Sequence, residues 1–284
     1  MRRRLTWLDV FTARPLAGNQ LAVVHDADGL DDETMLAFAR ETRLSETTFV
    51  QRATQAGADY RNRIFTAAGE IPFAGHPSLG TAVAIAREHG LAEASCVQQT
   101  HAGLQPIDVR HDGSTAHASM LQERPRFGAQ PPPGDVMAAA GLTAADAHPR
   151  MGPQVVSTGV AHVVAPLAAV TALQRAAPSR PALQALLEPL GAVVLFLAAV
   201  DEQAGGAHAR GFFLDPLSIT EDPATGSAAG TLLAYLHERA GVESLTVRQG
   251  AEMGRPSRMD CVWADDRPRV SGDVVVVADG HVLL

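Results

Sequence analysis

Three side chains in this sequence have the types that move protons: Glu46 in Leu44-Ser45-Glu46-Thr47-Thr48, His76 in Gly75-His76-Pro77-Ser78, and Asp222 in Glu221-Asp222-Pro223-Ala224-Thr225-Gly226-Ser227. A carboxylate or an imidazole held against a reacting carbon acts as a general acid or base. His76 and Asp222 each lie beside a glycine-flanked helix start. Such a start offers unpaired N–H donors and a partial positive charge, and small residues there leave room for a carboxylate-bearing ligand to approach. Each residue also has an ordinary role open to it: His76 or Asp222 as a helix cap, Glu46 as a solvated charge at a strand end, and Gly75 and Gly226 as tight-turn residues.

Composition removes several other chemistries. All 23 Lys+Arg residues are arginine. Without lysine there is no internal Schiff base to pyridoxal phosphate and no P-loop cation. No Gly-x-Ser-x-Gly elbow, His-Glu-x-x-His helix, Cys-x-x-Cys pair or Gly-x-Gly-x-x-Gly turn occurs, so no metal or dinucleotide is expected. A net charge of −8 argues against nucleic acid as a partner. With 46% hydrophobic and 19% charged residues and no apolar run near the ~18 of a membrane span, a cytoplasmic globular protein without a membrane partner is expected. Cys96 and Cys261 are too few for a disulfide framework and are expected to be buried and inert.

The elements that must position these side chains repeat along the chain. Aligning Gly80-Thr81 with Gly230-Thr231, an offset of 150, superposes two segments of matching character. Each opens with small residues or proline and closes at Gly90 or Gly241. Their middles, 79–86 and 228–236, are apolar on every face, the pattern of an enclosed helix. Strand-like runs over 5–11, 21–24, 47–51 and 61–65 precede the first helix, and runs over 155–164, 192–197 and 210–214 precede the second. Another strand follows each, near Val97 and Thr246. Asp112-Gly113 marks a hairpin between 107–110 and 116–120. Peripheral helices are predicted over 31–41, 135–140 and 181–190. The fold class predicted is α/β of the α+β type: two pseudo-symmetric halves, each a sheet wrapped around one buried helix, with the two helix starts meeting at a cleft. The halves are placed at 1–127 and 135–284, with 128–134 as a linker and the last strand able to return to the N-terminal half.

The motifs Asp9-Val-Phe-Thr, Gly18-Asn19-Gln20, Ser45-Glu46-Thr47-Thr48-Phe49, Arg63-Ile-Phe-Thr66, Glu70-Ile-Pro-Phe-Ala-Gly75-His76-Pro77, Glu221-Asp222-Pro-Ala-Thr-Gly226-Ser227 and Gln249-Gly250 followed by Gly254-Arg255-Pro256-Ser257 give the chain a specific resemblance to the PhzF-like phenazine-biosynthesis isomerases, which share the diaminopimelate epimerase fold. That resemblance implies a cofactor-free isomerase, typically a homodimer. In it Glu46 would move a proton between carbons of a small cyclic carboxylated, dihydro-hydroxyanthranilate-type metabolite. Glu46, His76 and Asp222 would be catalytic, and Asn19, Gly75, Gly226 and Ser227 would bind substrate. Glu46 would need a pKa raised toward the working pH by burial to serve as both acid and base. Related epimerases use paired cysteines where this sequence has Gly75 and Thr225, so thiol-based racemisation is excluded. Two alternatives stand: a superfamily isomerase or epimerase with another substrate, and a non-catalytic carboxylate-binding or scaffold protein of the same fold.

Overall fold

The structure is a computed structural model and describes all residues except 113–114, 202–204 and 215–218. In chain order the elements are β1 (Arg2–Val10), β2 (Asn19–Val24), α1 (Asp32–Thr42), β3 (Thr47–Gln51), β4 (Tyr60–Phe65), β5 (Glu70–Ile71), α2 (Gly75–Glu88), β6 (Glu93–Thr100), β7 (Gly103–Asp112) and β8 (Thr115–Leu121). There follow β9 (Arg126–Phe127), α3 (Pro133–Ala139), β10 (Gln154–Ser157), β11 (Ala161–Pro166), α4 (Val170–Arg175), α5 (Arg180–Leu190), β12 (Val194–Asp201), β13 (Gly206–Leu214), β14 (Ile219–Asp222), α6 (Gly226–Ala240), β15 (Ser244–Gln249), β16 (Ser257–Ala264) and β17 (Arg267–Leu283). Two compact units result, Met1–Met120 with Ser271–Leu284, and Leu121–Val270.

In the first unit the strands close on themselves. Pairing runs β1-β2-β3-β4-β6-β7-β8-β17 and back to β1, so no strand of the ring keeps a free edge. Helix α2 is buried from His76 to Ala86, as its all-round apolar sequence requires. Its Gly80 is dictated by packing: a Cβ there would lie 2.6 Å from the Leu21 side chain and 2.9 Å from that of Val10. Outside the ring, α1 buries only Met35 and Ala39, and Phe38, Phe49 and Phe65 stack edge to face behind it. Strand alternation therefore sends Phe49 outward to α1 and Thr48 inward to α2.

The second unit repeats this plan. Strand β10 pairs antiparallel with β11, β11 runs parallel to β12, β12 antiparallel to β13, β13 parallel to β15, and β15 antiparallel to β16. These are the same relations, in the same order, as β1 through β4, β6 and β7. Helix α6 occupies the place of α2 and is buried from Ala228 to Leu236. An outer layer of α3, α4 and α5 covers β11, β12 and β13 through Val136, Met137, Leu173, Leu183 and Leu187.

Two details differ from the sequence-based expectations. The run over 155–164 is two strands rather than one, because Gly159 at φ +126° breaks it and Ser157 then pairs with Ala161. The glycine-proline stretch 128–134 lies within the second unit, where the Gly128 N–H donates to the Val155 carbonyl at 2.8 Å and Pro133 opens α3. The hairpin joining β7 to β8 is present, with Asp112 opposite Thr115, while Gly113 lies outside the described residues. Both cysteines are free and buried, and burial pushes their thiols up in pKa.

Candidate active site

Two adjacent inward positions on β2 and two one turn apart on α2 fix the first part of the site. Asn19 and Leu21 point to the same face of β2, and they meet His76 and Gly80 respectively. Asn19 Nδ2 lies 3.1 Å from His76 Nδ1, and both residues are buried. Strand β3 adds the third group by the same logic. Thr48 and Glu46 share a face; the Thr48 hydroxyl meets that of Thr81 at 2.9 Å, and Glu46 reaches back to the helix start. There Glu46 Oε2 lies 3.4 Å from His76 Nε2, with side-chain exposures of 17% and 5%. A 2.9 Å contact between the Thr42 and Thr47 hydroxyls holds the turn from α1 into β3 that carries Glu46.

Burial pushes the His76 imidazole down to about 3, partly offset by a hydrogen bond to the Gln20 backbone. The ring is therefore neutral near pH 7 and can hold one proton between Asn19 and Glu46. Glu46, His76, Asn19 and Gly75 are thus brought together.

In the second unit Asp222 ends β14 and is locked to the residue that precedes α6. Thr225 Oγ1 donates to Asp222 Oδ2 at 2.8 Å. Gln249, at the end of β15, braces the loop: its Nε2 donates to the Asp222 carbonyl at 2.7 Å and its Oε1 accepts from the Thr225 N–H at 3.1 Å. Gly250 permits this, since at φ +78° a Cβ would sit 2.6 Å from the Pro223 carbonyl oxygen. Ser227 Oγ lies 2.9 Å from Nε2 of the buried His162, and the Gly226 carbonyl accepts from Gln122 Nε2 at 2.9 Å. Asp222, Gly226 and Ser227 therefore share one surface.

Neither α2 nor α6 has a side-chain cap or an acidic residue in its first turn. Asp222 and His76 do not cap, which removes their ordinary reading. By contrast α1 is capped by Asp31, whose carboxylate accepts from the Thr34 N–H at 2.8 Å, with Asp32 and Glu33 following. The positive ends of α2 and α6 are left for something else to satisfy. Counted from the residues preceding each helix, Ala74 and Thr225, Gly75 matches Gly226, one position away from the pairing of Gly75 with Thr225 in the sequence alignment.

Arg63, given no role by its motif, has a counterpart in Arg210 of the second unit. Arg63 on β4 binds Glu70 on β5 through Nε at 2.7 Å and through Nη2 at 2.5 Å, and Arg210 on β13 binds Glu221 on β14 at 2.8 and 2.7 Å. Each guanidinium also covers a phenylalanine, Phe65 or Phe212. These forks fix the short strands that lead into α2 and α6. Among the described residues no group of three or more His, Cys, Asp and Glu is arranged to hold a metal ion. No helix among them is long and apolar enough to cross a membrane.

Comparison with known proteins matches residues 8–280 to the family described as phenazine biosynthesis-like protein. The chain belongs to this family. It is 37% identical to trans-2,3-dihydro-3-hydroxyanthranilate isomerase of Pseudomonas aeruginosa over 99% of both chains, and 34% identical to the protein of the same name from Pseudomonas chlororaphis over 98% of both. Among solved structures, a predicted epimerase from Pseudomonas aeruginosa superposes with a TM-score of 0.87 at 38% identity over 99% of both chains. A proline racemase from Agrobacterium radiobacter, 12% identical, superposes with a TM-score of 0.64 over 99% of this chain and 93% of its own, which shows the shared fold. The chain is an enzyme of the isomerase class within the phenazine biosynthesis-like family.

Proposed function

We propose that Glu46 is the acid/base of a cofactor-independent isomerase that moves a proton between two carbons of a small cyclic, carboxylated, dihydro-hydroxyanthranilate-type metabolite. The observation that carries this reading is the half-buried Glu46 carboxylate set 3.4 Å from a neutral, buried His76 whose other nitrogen is held by Asn19. The Glu46 carboxylate takes a proton from one substrate carbon as the electron pair moves into the adjoining double bond. It then returns that proton to a second carbon, so no oxidant, reductant or metal enters the balance. One carboxylate serving both steps fits a shift of hydrogen along one face. A chain with Gly75 and Thr225 at its helix starts has no thiol pair for inversion.

The remaining roles are binding. The first amides of α2 and α6, at Gly75 and at Gly226 and Ser227, suit a carboxylate, because no side chain caps either helix. Asp222 and His76 suit a substrate amine or hydroxyl, and Asn19 holds His76 in place. The same reading has the enzyme in the cytoplasm, as a homodimer.

The test is solvent exchange. In D₂O with trans-2,3-dihydro-3-hydroxyanthranilate, the wild-type chain should leave deuterium in product, and Glu46→Gln should lower that rate by roughly 10²- to 10⁴-fold. A Glu46→Gln variant that incorporates solvent deuterium at the wild-type rate overturns the assignment.

A further inference from the structure

Gln122 holds the start of α6 from behind. It follows β8 in the second unit, and its backbone is fixed there: the Gln122 N–H donates to the Pro268 carbonyl at 2.9 Å, and the Glu123 N–H donates to the Thr158 carbonyl at 3.1 Å. The Gln122 and Thr158 side chains are both buried. Gln122 Nε2 donates to the Gly226 carbonyl at 2.9 Å, and Gln122 Oε1 accepts from the Thr158 hydroxyl at 2.6 Å. The partners settle which way the amide points, because a backbone carbonyl only accepts, so nitrogen must face Gly226 and oxygen must face Thr158.

The glycine at 230 makes room for this amide. A Cβ there would lie 1.9 Å from Gln122 Oε1 and 2.7 Å from Nε2. The aligned glycine of α2, Gly80, admits the apolar side chains of Leu21 and Val10 instead. One scaffold thus closes on an apolar plug in the first unit and on an amide in the second. A buried amide is costly unless its polar atoms are paired, and here both are. What it adds over an apolar plug is a donor to the Gly226 carbonyl.

That donor acts on the far side of the same peptide. In an α-helix the C=O and N–H of one peptide point opposite ways along the axis, so the Gly226 carbonyl faces into the helix and the Ser227 N–H faces out of its start. A donor on the carbonyl fixes the peptide plane and polarises the amide, which strengthens its N–H toward an acceptor. The Thr225 carbonyl accepts from the N–H groups of Ala228 and Ala229 at 3.0 and 2.9 Å, which leaves those of Gly226 and Ser227 for a ligand.

We propose that Gln122 is a positioning residue for the substrate carboxylate: by donating to the Gly226 carbonyl it aims and strengthens the Ser227 N–H that takes the carboxylate. This rests on the reading of the α6 start as carboxylate-binding. Thr158 belongs to the device, since its hydroxyl keeps the Gln122 amide from turning over.

Anthranilate, a cyclic amino acid with no ring hydrogen to shift, is the binding probe. In ¹H–¹⁵N spectra it should move the Ser227 amide resonance of the wild-type chain. In Gln122→Met the Ser227 ¹⁵N resonance should lie upfield before any ligand is added, and the anthranilate Kd should be about three- to tenfold weaker. A wild-type Ser227 resonance indifferent to anthranilate defeats the carboxylate reading of α6 itself. A Gln122→Met chain that binds anthranilate as tightly as wild type overturns the role of Gln122 alone. Kinetics with trans-2,3-dihydro-3-hydroxyanthranilate separate positioning from packing. Gln122→Met should raise KM about three- to tenfold with kcat within about twofold, Thr158→Val should do the same to a smaller extent, and the double variant should be no worse than Gln122→Met. A loss confined to kcat, or additive losses in the double variant, would assign Gln122 a packing part and overturn the proposal. If Gln122→Met does not fold, Thr158→Val, which removes only the hydroxyl, carries both comparisons. A wild-type chain that leaves this substrate unchanged defeats the proposed substrate, while the anthranilate titration still decides the role of Gln122.

Discussion

The two units carry the same scaffold and differ where chemistry would occur. Both have an Arg–Glu fork over a phenylalanine, Arg63-Glu70-Phe65 and Arg210-Glu221-Phe212, leading into an uncapped, enclosed helix. At the second helical position one has His76, in contact with a carboxylate, and the other has Ser227, in contact with an imidazole. Before the helix one has Ala74, and the other has Thr225 clasping Asp222. On the proposed reading, a shared brace with a different tip divides labour: the first unit moves a proton and the second holds polar groups. Repetition gives two helix starts without a side-chain cap, and divergence gives only one of them a neighbouring glutamate.

The sharpest way to break that contrast is to remove the differing residues. His76→Asn should lower kcat/KM by roughly 10²-fold or more, with most of the loss in kcat, because besides binding substrate His76 lies against the carboxylate proposed to move the proton. Ser227→Ala should cost only about three- to tenfold, mostly in KM, the value of one neutral hydrogen bond. Steady-state kinetics of the two variants side by side decide the matter. Equal losses, or a larger kcat effect at Ser227, would end the division of labour.

Next in size is the shared brace. Replacing Arg63 or Arg210 by methionine takes the arginine from a partly buried glutamate, Glu70, which keeps a contact with His101 at 3.1 Å, or Glu221, and should destabilise the fold by about 2–4 kcal/mol, somewhat under the cost of breaking a fully buried pair. Arg210 should be the worse loss. Its Nη1 also donates to the Leu173 and Ala176 carbonyls at 2.6 and 2.9 Å and so ties α4 to β13. Arg63 has instead an added contact with the exposed Asp32. Urea unfolding of both variants checks the ranking, and a more costly Arg63→Met would show that the two braces are not equivalent.

Much of this scaffold was legible in the residues. Helices α2 and α6 announce themselves because segments apolar on every face, ending at Gly90 and Gly241, fit only an enclosed helix; both glycines take positive φ, +64° and +65°. Strand β3 falls on 47–51 as read, since Thr47-Thr48-Phe49-Val50 is a run of β-branched and aromatic residues that favours extended backbone. The two-residue strand β5 was not legible, because a pair of residues has no period, and four-residue β14 was missed beside it. Both matter through their arginine partners, and a recurring Arg and Glu in the two halves was the signal available. His162 was missed because a lone histidine in a valine-rich strand looks like ordinary core. Its alternation with Val164 toward the helix face was the clue. Glu46 could not be placed at His76 from sequence, since their contact depends on β3 lying beside α2.

The smallest effect separates the two buried histidines by pH. Both are near 6.5 when unfolded, and the fold pushes His76 to about 3 and His162 to about 4. Between the folded value and 6.5 the unfolded chain binds a proton that the folded chain refuses, so stability is fully present above 6.5 and falls as the pH drops. Each histidine then contributes at most about 1.4 kcal/mol of lost stability per pH unit, ending near pH 4 for His162 and near pH 3 for His76. Protonating carboxylates adds to the wild-type slope, but a single substitution cancels that common part. Urea unfolding at pH 7, 5.5 and 4.5 should therefore give His76→Asn and His162→Asn shallower acid slopes than wild type, and the slopes, unlike the absolute stabilities, are unaffected by any packing lost. An unchanged slope in His162→Asn would mean that His162 is already able to charge in the folded state, against the burial that holds its imidazole low.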